Sequence, residues 1–420
     1  MNPAVKAAVK APERGRRVRG PLAGLLVSTA LSVTGNAVVA VAVPWVVLAR
    51  TGSATAAGVA GAAAILPVAL AALFGGALID RLGRRFCAVG ADVLSALAVA
   101  AMPLLDAAFG LEYWLILVLV ALGAVFDGPG AAAREALRPD VAKAGAQPLP
   151  RVNAWGEAAE SVGNMVGPGI GGLLLVALNG FGALWVTVVM FVLSAVITAC
   201  TVPAHLSPLP VREPYLRSVK EGLVFLLKDP GLRAVALTAT VIVAFIAPFG
   251  SVVLNAHLQE VGEPGQYGLI LAVLAVGGLA GAIGYGLVGH RFTERPVLVG
   301  TVTLTAIGLA GFAFLPTVPV MLALAFVAGV VSGPVNPVVA VIMQERTPER
   351  LRGRVIGSYT SVAVAAGPLG LLALGPVVDA GGAAAGFAVI AAGCLLAAVY
   401  AACSRGLRRH PSVAPDQAKG

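Results

Sequence analysis

The chain has 420 residues, 58% of them hydrophobic and 12% charged, with a mean hydropathy of +0.92. Soluble domains run at about 45–50% apolar and about 25% charged, so an ordinary cytosolic enzyme and a disordered protein are both excluded. The formal net charge is +9, but the basic residues are gathered between long apolar blocks, which argues for loops that set membrane topology rather than for nucleic-acid binding.

A membrane-spanning helix needs about 20 apolar residues. The first block runs from Leu22 to Leu48, behind a basic tail over 1–20 that holds Lys6, Lys10, Arg14, Arg16, Arg17 and Arg19. It is too long for a signal-peptide core and predicts a retained span with the N-terminus in the cytoplasm. Blocks at 54–78, 86–105, 111–133, 153–178 and 183–202 complete a first half over 21–202. The interval 203–231 opens with Pro203, Pro208, Pro210 and Pro214. It then predicts a short amphipathic helix at Ser218–Lys228, with Val219, Leu223, Phe225, Leu226 and Leu227 apolar. A second half over 232–404 carries blocks at 232–256, 266–289, 296–315, 318–343, 355–378 and 383–403, followed by a cytoplasmic tail over 405–420.

The charges agree with twelve spans and two cytoplasmic termini. Of 29 lysines and arginines, all but Arg50 fall on the cytoplasmic side, as the positive-inside rule requires. An internal repeat supports two halves. Gly167-Pro168 recurs as Gly367-Pro368, Asp127-Gly128-Pro129 has a looser counterpart in Ser332-Gly333-Pro334, and the segment from Gly76 aligns with that from Gly286, pairing Arg81 with Arg291 and Arg85 with Arg295. Repeated halves with a midplane site between them mark secondary transporters. The predicted fold is therefore an all-α integral membrane protein: twelve transmembrane helices in two six-helix pseudo-repeated halves, multi-pass in the cell membrane.

After the second block stands Gly76-Ala77-Leu78-Ile79-Asp80-Arg81-Leu82-Gly83-Arg84-Arg85. It matches G-x-x-x-D-R-x-G-R-R, and by this signature the chain resembles the major facilitator superfamily over roughly residues 20–405. In physical terms Gly83 permits a tight turn, and Arg84 and Arg85 hold the loop in the cytoplasm. Asp80 is placed to dock on the positive N-terminus of span eleven in the other half, a conformational role. In span five, Gly163-Asn164-Met165-Val166-Gly167-Pro168-Gly169-Ile170-Gly171-Gly172 matches G-x-x-x-G-P-x-x-G-G. That resemblance implies a proton-antiporting exporter. Small residues four apart allow close helix approach, and Pro168 removes a backbone donor.

Four acids fall inside the spans: Asp92, Asp127, Glu157 and Glu160. Ionisable groups at depth are costly and default to function. At 1.5 Å per residue, Asp92 lies about 9 Å from the cytoplasmic end, Glu157 and Glu160 about 8 and 12 Å. Asp127 lies about 21 Å from the opposite end of its span. No Lys or Arg is expected deep in a span, Arg84 and Arg134 being the nearest partners, so these carboxylates are proton-coupling candidates. Asp127 is first, Glu160 second, Glu157 third; for Asp92 the alternative is a pair with Arg84 or Arg85, and for the glutamates solvation near the surface or a pair with Arg151. Ser161 and Asn164 extend a polar path along span five.

The resemblance further implies that spans one, four, seven and ten line the central cavity, pointing to Asn36, Asp127, Phe245, Phe249, Ser332 and Asn336. Packing or lipid contact is an equal alternative for the two phenylalanines. The substrate class expected is an amphipathic small organic molecule: a drug, natural product or siderophore, exported against protons by alternating access. The alternatives are a proton-coupled importer or uniporter of a neutral metabolite, or a transport-inactive receptor or lipid-handling protein.

No enzyme chemistry is expected. The chain holds no G-x-x-x-x-G-K-[ST] phosphate loop and no G-x-S-x-G elbow. His205, His257, His290, His410 and Cys87, Cys200, Cys394, Cys403 show no metal-ligand spacing. No cofactor, metal, nucleotide or nucleic acid is expected as a partner, only a small-molecule substrate, protons and the bilayer, with the protein a monomer.

Overall fold

The computed structural model describes residues 20–178, 180–203, 215–263, 265–348 and 351–408, without the side chains of 69–78, 80, 81, 176, 215–220 and 290. The basic tail through residue 19, the Pro-rich segment 204–214 and the C-terminal tail from 409 lie outside the described residues, as do the side chains at Asp80 and Arg81.

The first half is built from α1 (Gly20–Thr51), α2 (Ala54–Leu82), α3 (Arg84–Phe109), α4 (Tyr113–Ala144), α5 (Leu149–Leu178) and α6 (Phe181–Thr201). With no water to satisfy backbone groups in lipid, helices that close their own hydrogen bonds are the available solution. Their ends are chemically marked. Ser53 caps α2 by accepting from the Ala56 amide, a side-chain cap for an otherwise unpaired donor. Gly83, at φ 88°, joins α2 to α3 in one residue; a side chain would be strained there. Within the half, α1 packs on α5 and α6, α3 on α4 and α6, and α2 on α4.

The amphipathic α7 (Tyr215–Lys228) starts three residues before the position read from sequence. Gly222 lets it press on the Arg354 carbonyl of the second half. Span seven is α8 (Pro230–Pro248), a π-helical turn at Phe249–Leu254, and α9 (Asn255–Glu260). Pro248 offers no amide to the ladder, and the π turn follows it directly. Spans eight and nine are α10 (Gln266–Val288) and α11 (Glu294–Phe312); span ten is α12 (Val318–Ser332) continued by α13 (Val335–Arg346). Spans eleven and twelve form α14 (Arg352–Cys403), broken by Gly382 at φ 70°.

The pseudo-repeat has a structural signature beyond helix number. Arg85, after span two, donates to the Ala199 carbonyl at the end of span six. Arg295, its counterpart, donates to the Ala402 carbonyl at the end of span twelve over 2.7 Å. Each arginine thus satisfies a last-turn carbonyl that has no intrahelical partner. The architecture is the two-half, twelve-helix arrangement read from the sequence.

Two expectations need correction. Span four does not stop at residue 133: α4 continues to Ala144 and carries Arg134, Arg138 and Asp140, all buried. Hydropathy falls at Arg134, but partners on neighbouring helices neutralise these charges and the helix continues. Phe249 follows the packing alternative instead of the cavity one. It is 3% exposed and stacks edge-on to Phe312 at 5.3 Å and beside Phe387 at 5.7 Å, a packed aromatic cluster. Phe245 lies against Gly393 of α14.

Between α10 and α12 the backbones nearly touch: a Cβ at Gly277 would strike the Phe326 carbonyl, whereas one at Gly284 meets nothing within 4 Å. Overpacking a tight interface costs about 1–3 kcal/mol. Gly277→Val should lower the thermal midpoint of the detergent-purified protein by several degrees, while Gly284→Val, on the same helix, should leave it within error.

Candidate functional site

The polar interior of the first half is organised by α4. Asp127, Arg134 and Arg138 are spaced by seven and four residues, which puts all three on one helical face. Arg134 and Asp92 form an ion pair at 3.1 Å, their side chains 4% and 2% exposed. Asp92 also accepts from Ser32 of α1 at 2.7 Å and from Ser194 of α6 at 2.6 Å. Both carboxylate oxygens are therefore engaged, and four helices meet on one charge.

One turn further along α4, Arg138 pairs with Glu157 at 2.6 Å and with Glu160, both on α5. The i, i+3 spacing of the glutamates presents them together to one guanidinium, whose fork geometry suits carboxylates. Arg84 reaches the buried Asp140 of α4 at 2.7 Å. The acids read from sequence as unpaired are thus mostly paired, and neither Arg84 nor Arg85 holds Asp92, nor Arg151 the glutamates. The basis for the error is plain: Arg134 and Arg138 were placed in a cytoplasmic loop. Their i, i+4 spacing against the i, i+3 spacing of Glu157 and Glu160 was the available signal.

Asp127 differs from the other three. It accepts from Ser95 of α3 at 2.7 Å and makes no ion pair among the described residues. It lines a cavity of about 310 Å³ with Asn36, Ser95 and Asn164, the remaining lining being apolar. A second cavity of about 670 Å³ lies in the other half, with Thr305, Ser332, Asn336 and Cys394 among otherwise apolar residues. Asn164 of α5 borders both the first-half lobe and the second-half lobe. Of the six cavity residues read from sequence, Asn36, Asp127, Ser332 and Asn336 line these lobes, and Phe245 and Phe249 line neither. Ser95 and Thr305 escaped notice, because a single hydroxyl in an apolar span carries no sequence signal.

Chemically, Asp127 can gain or lose a proton in a cavity without breaking an ion pair. Protonating Asp92 would strand Arg134, an uncompensated buried charge. The arrangement separates acids committed to ion pairs from one carboxylate, Asp127, that makes none among the described residues.

The span-five glycines serve two interfaces. Cβ atoms at Gly163 and Gly167 would press on Val33 at 2.8 Å and Ala37 at 2.5 Å, and one at Gly171 would approach Val38 at 3.2 Å, all on α1. Gly172 instead meets Gly268 of α10, in the opposite half. Pro168 sits within α5 between them.

Comparison with known proteins agrees with the fold. The family model described as Major Facilitator Superfamily matches residues 25–259 and 248–420. The chain is 37% identical over 390 residues to the multidrug efflux pump Tap of Mycolicibacterium fortuitum, covering 91% of this chain and 95% of that one. It is 27% identical over 368 residues to the enterobactin exporter EntS of Citrobacter koseri, covering 82% and 83%. Among solved structures, a D323A mutant of the nucleoside transporter NupG superposes with a TM-score of 0.75 at 10% identity, covering 91% of this chain and 99% of that one; this likeness concerns the fold alone.

Breaking a buried pair by removing one partner costs about 3–5 kcal/mol, whereas removing both is far milder. Asp92→Asn and Arg134→Gln should each lower thermal stability sharply, and the double variant should recover a large part of the loss. Equal and additive losses in a double-mutant cycle would remove the coupling assigned to this pair.

Proposed function

The chain belongs to the Major Facilitator Superfamily, and we propose that it is a proton-coupled exporter of amphipathic small organic molecules in the bacterial cell membrane. The observation that carries this reading is Asp127: a carboxylate without an ion pair among the described residues, open to the first-half lobe, beside three acids that are committed to arginines. The efflux relatives support the direction of transport. The lobes support the substrate class, since they are mostly apolar, hold a few amide and hydroxyl groups, and have no cation among their lining residues to hold an anionic metabolite.

We assign both termini to the cytoplasm, with the halves at 21–202 and 232–404 joined by the cytoplasmic segment 203–231. The glycine contacts of α5 with α1 make the first half a rigid body, and the two halves rock about the cleft. A proton on Asp127 alternates with substrate in the first-half lobe. The Glu157–Arg138–Glu160 cluster stands at the cytoplasmic mouth. The protein works as a monomer and performs no covalent chemistry.

Asp127→Asn keeps volume and hydrogen bonding but cannot ionise. In a host without its own pumps, wild type should lower accumulation of fluorescent amphipathic compounds, and a protonophore should cancel that effect. Asp127→Asn should express and fold normally yet lose at least about tenfold in export, the loss expected of a group that acts in the chemistry of coupling. Glu160→Gln should be milder, because Glu157 still holds Arg138. Normal protonophore-sensitive export by Asp127→Asn would rule out the assignment.

A further inference from the structure

At the end of the bundle that carries Gly52, Gly110 and Gly382, the two halves are joined by an unusual contact. Asp379, just past span eleven, accepts from the Ala54 amide at 2.7 Å, the Thr55 amide at 3.0 Å and the Ser53 hydroxyl at 3.0 Å. Those amides are the first of α2, in the opposite half, and have no intrahelical partner. A carboxylate here also faces the positive end of the helix dipole. Ser53 meanwhile caps the Ala56 amide of its own helix. The start of α2 is therefore capped jointly, by a serine from its own half and an aspartate from the other.

The contact sits on a seam that must part when the halves rock. Beneath it, a Cβ at Gly375 would lie 2.6 Å from the Thr55 Cα, and one at Gly58 would strike the Leu371 carbonyl. Gln259 of α9 adds a cross-half bond to the Trp45 carbonyl at 3.3 Å. Small residues let the backbones meet, but that packing is short-ranged and has no charge. Asp379 supplies the one ionic element among the described contacts of this seam, and it belongs to a helix end that becomes unpaired on opening.

We propose that Asp379 is the latch of this gate: a positioning residue that holds the noncytoplasmic mouth shut by capping α2 across the halves, and so sets the balance between the two access states. It mirrors, at the opposite face and with the halves exchanged, the docking read from sequence for Asp80 on span eleven. The latch stays charged across physiological pH. Modest burial raises the Asp379 carboxyl, but the hydrogen bonds from Thr55, Ala54 and Ser53 outweigh it and hold the group below the usual range. A group with a depressed pKa keeps its contribution above its unperturbed value and loses it only as pH falls through the depressed one. Glu260, which faces the same crevice of about 380 Å³ with Gln259, is the other titratable group at this spot.

The inference needs alternating access but neither the proton nor the drug assignment, so its test is run without gradient or substrate. Spin labels at Phe109→Cys and Phe314→Cys, both exposed near this end in opposite halves, report the opening by pulsed dipolar spectroscopy. The background replaces Cys87, Cys200, Cys394 and Cys403. Charge-assisted hydrogen bonds of this kind, discounted for exposure, correspond to about a five- to tenfold shift in a two-state balance. Asp379→Ala should raise the long-distance population by that factor relative to wild type. Asp379→Asn, which can still accept hydrogen bonds, should raise it less, and Ser53→Ala should raise it slightly. The wild-type distribution should not change between about pH 6 and 8. If Asp379→Ala does not fold, Asp379→Asn decides. Distributions superimposable on wild type in well-folded variants would overturn the latch, whatever the export assays show.

Discussion

The buried pair of Asp92 and Arg134 is the constraint on which the polar interior rests. A carboxylate and a guanidinium at 2% and 4% exposure are tolerable only when each is matched, because the desolvation cost of either alone is several kcal/mol. Ser32 and Ser194 complete the match by filling the remaining acceptor sites of Asp92. The result ties α1, α3, α4 and α6 to one point, so their relative positions cannot drift while the halves move. It also fixes the register of α4, which places Asp127 two turns away in the cavity and Arg138 one turn away against α5. A carboxylate kept free of an ion pair needs such a frame, since a mobile one would find a cation.

Glycine makes two kinds of helix contact in this bundle. Inside a half, Gly163, Gly167 and Gly171 press α5 onto α1 over a length that favours permanence. Across the halves, Gly172 on Gly268 and Gly375 on Thr55 bring backbones together at the same end of the bundle. In lipid there is no hydrophobic drive for helices to associate, so close van der Waals packing and hydrogen bonds decide what stays together. A seam made of small residues closes well and opens without leaving large apolar side chains in water. One motif in span five therefore contributes to both the rigid body and the moving joint.

Much of the architecture was legible because membrane physics writes it in composition. Apolar blocks of spanning length, basic loops on one side and the 200-residue recurrence of Gly-Pro all follow from solvent and symmetry rather than from detail. The paired roles of Arg85 and Arg295 were legible as an alignment, though not as the carbonyl caps they form. The failures share one cause. Hydropathy assigns a buried arginine to a loop because it scores residues singly, and Arg134 and Arg138 are affordable only as members of pairs with α3 and α5. Asp127 was singled out for depth, and its distinction in the structure is the absence of an ion pair, which no one-dimensional reading could supply. Phe249 shows the converse: a span number suggested a cavity, and aromatic packing with Phe312 and Phe387 claimed the ring. Asp379 escaped because it stands at the rim of a span, where an acid looks ordinary until its partners in the other half are known.

The halves share a scaffold but not a chemistry. The four acids read from sequence as intramembrane, and the two arginines that pair three of them, lie in the first half, while the larger lobe of the second is lined by Thr305, Ser332 and Asn336 without a carboxylate or a cation. A symmetric pair of charged halves would repel or bind each other across the cleft and resist rocking. Confining charge to one side leaves the other as a neutral wall that can slide past it in either state. Asn164, on the border of both lobes, is the one polar group that both can use. Under the proposed function, substrate selection and proton exchange are set on different walls, and a change in the apolar wall would alter what is carried without disturbing the ion pairs that hold the first half together.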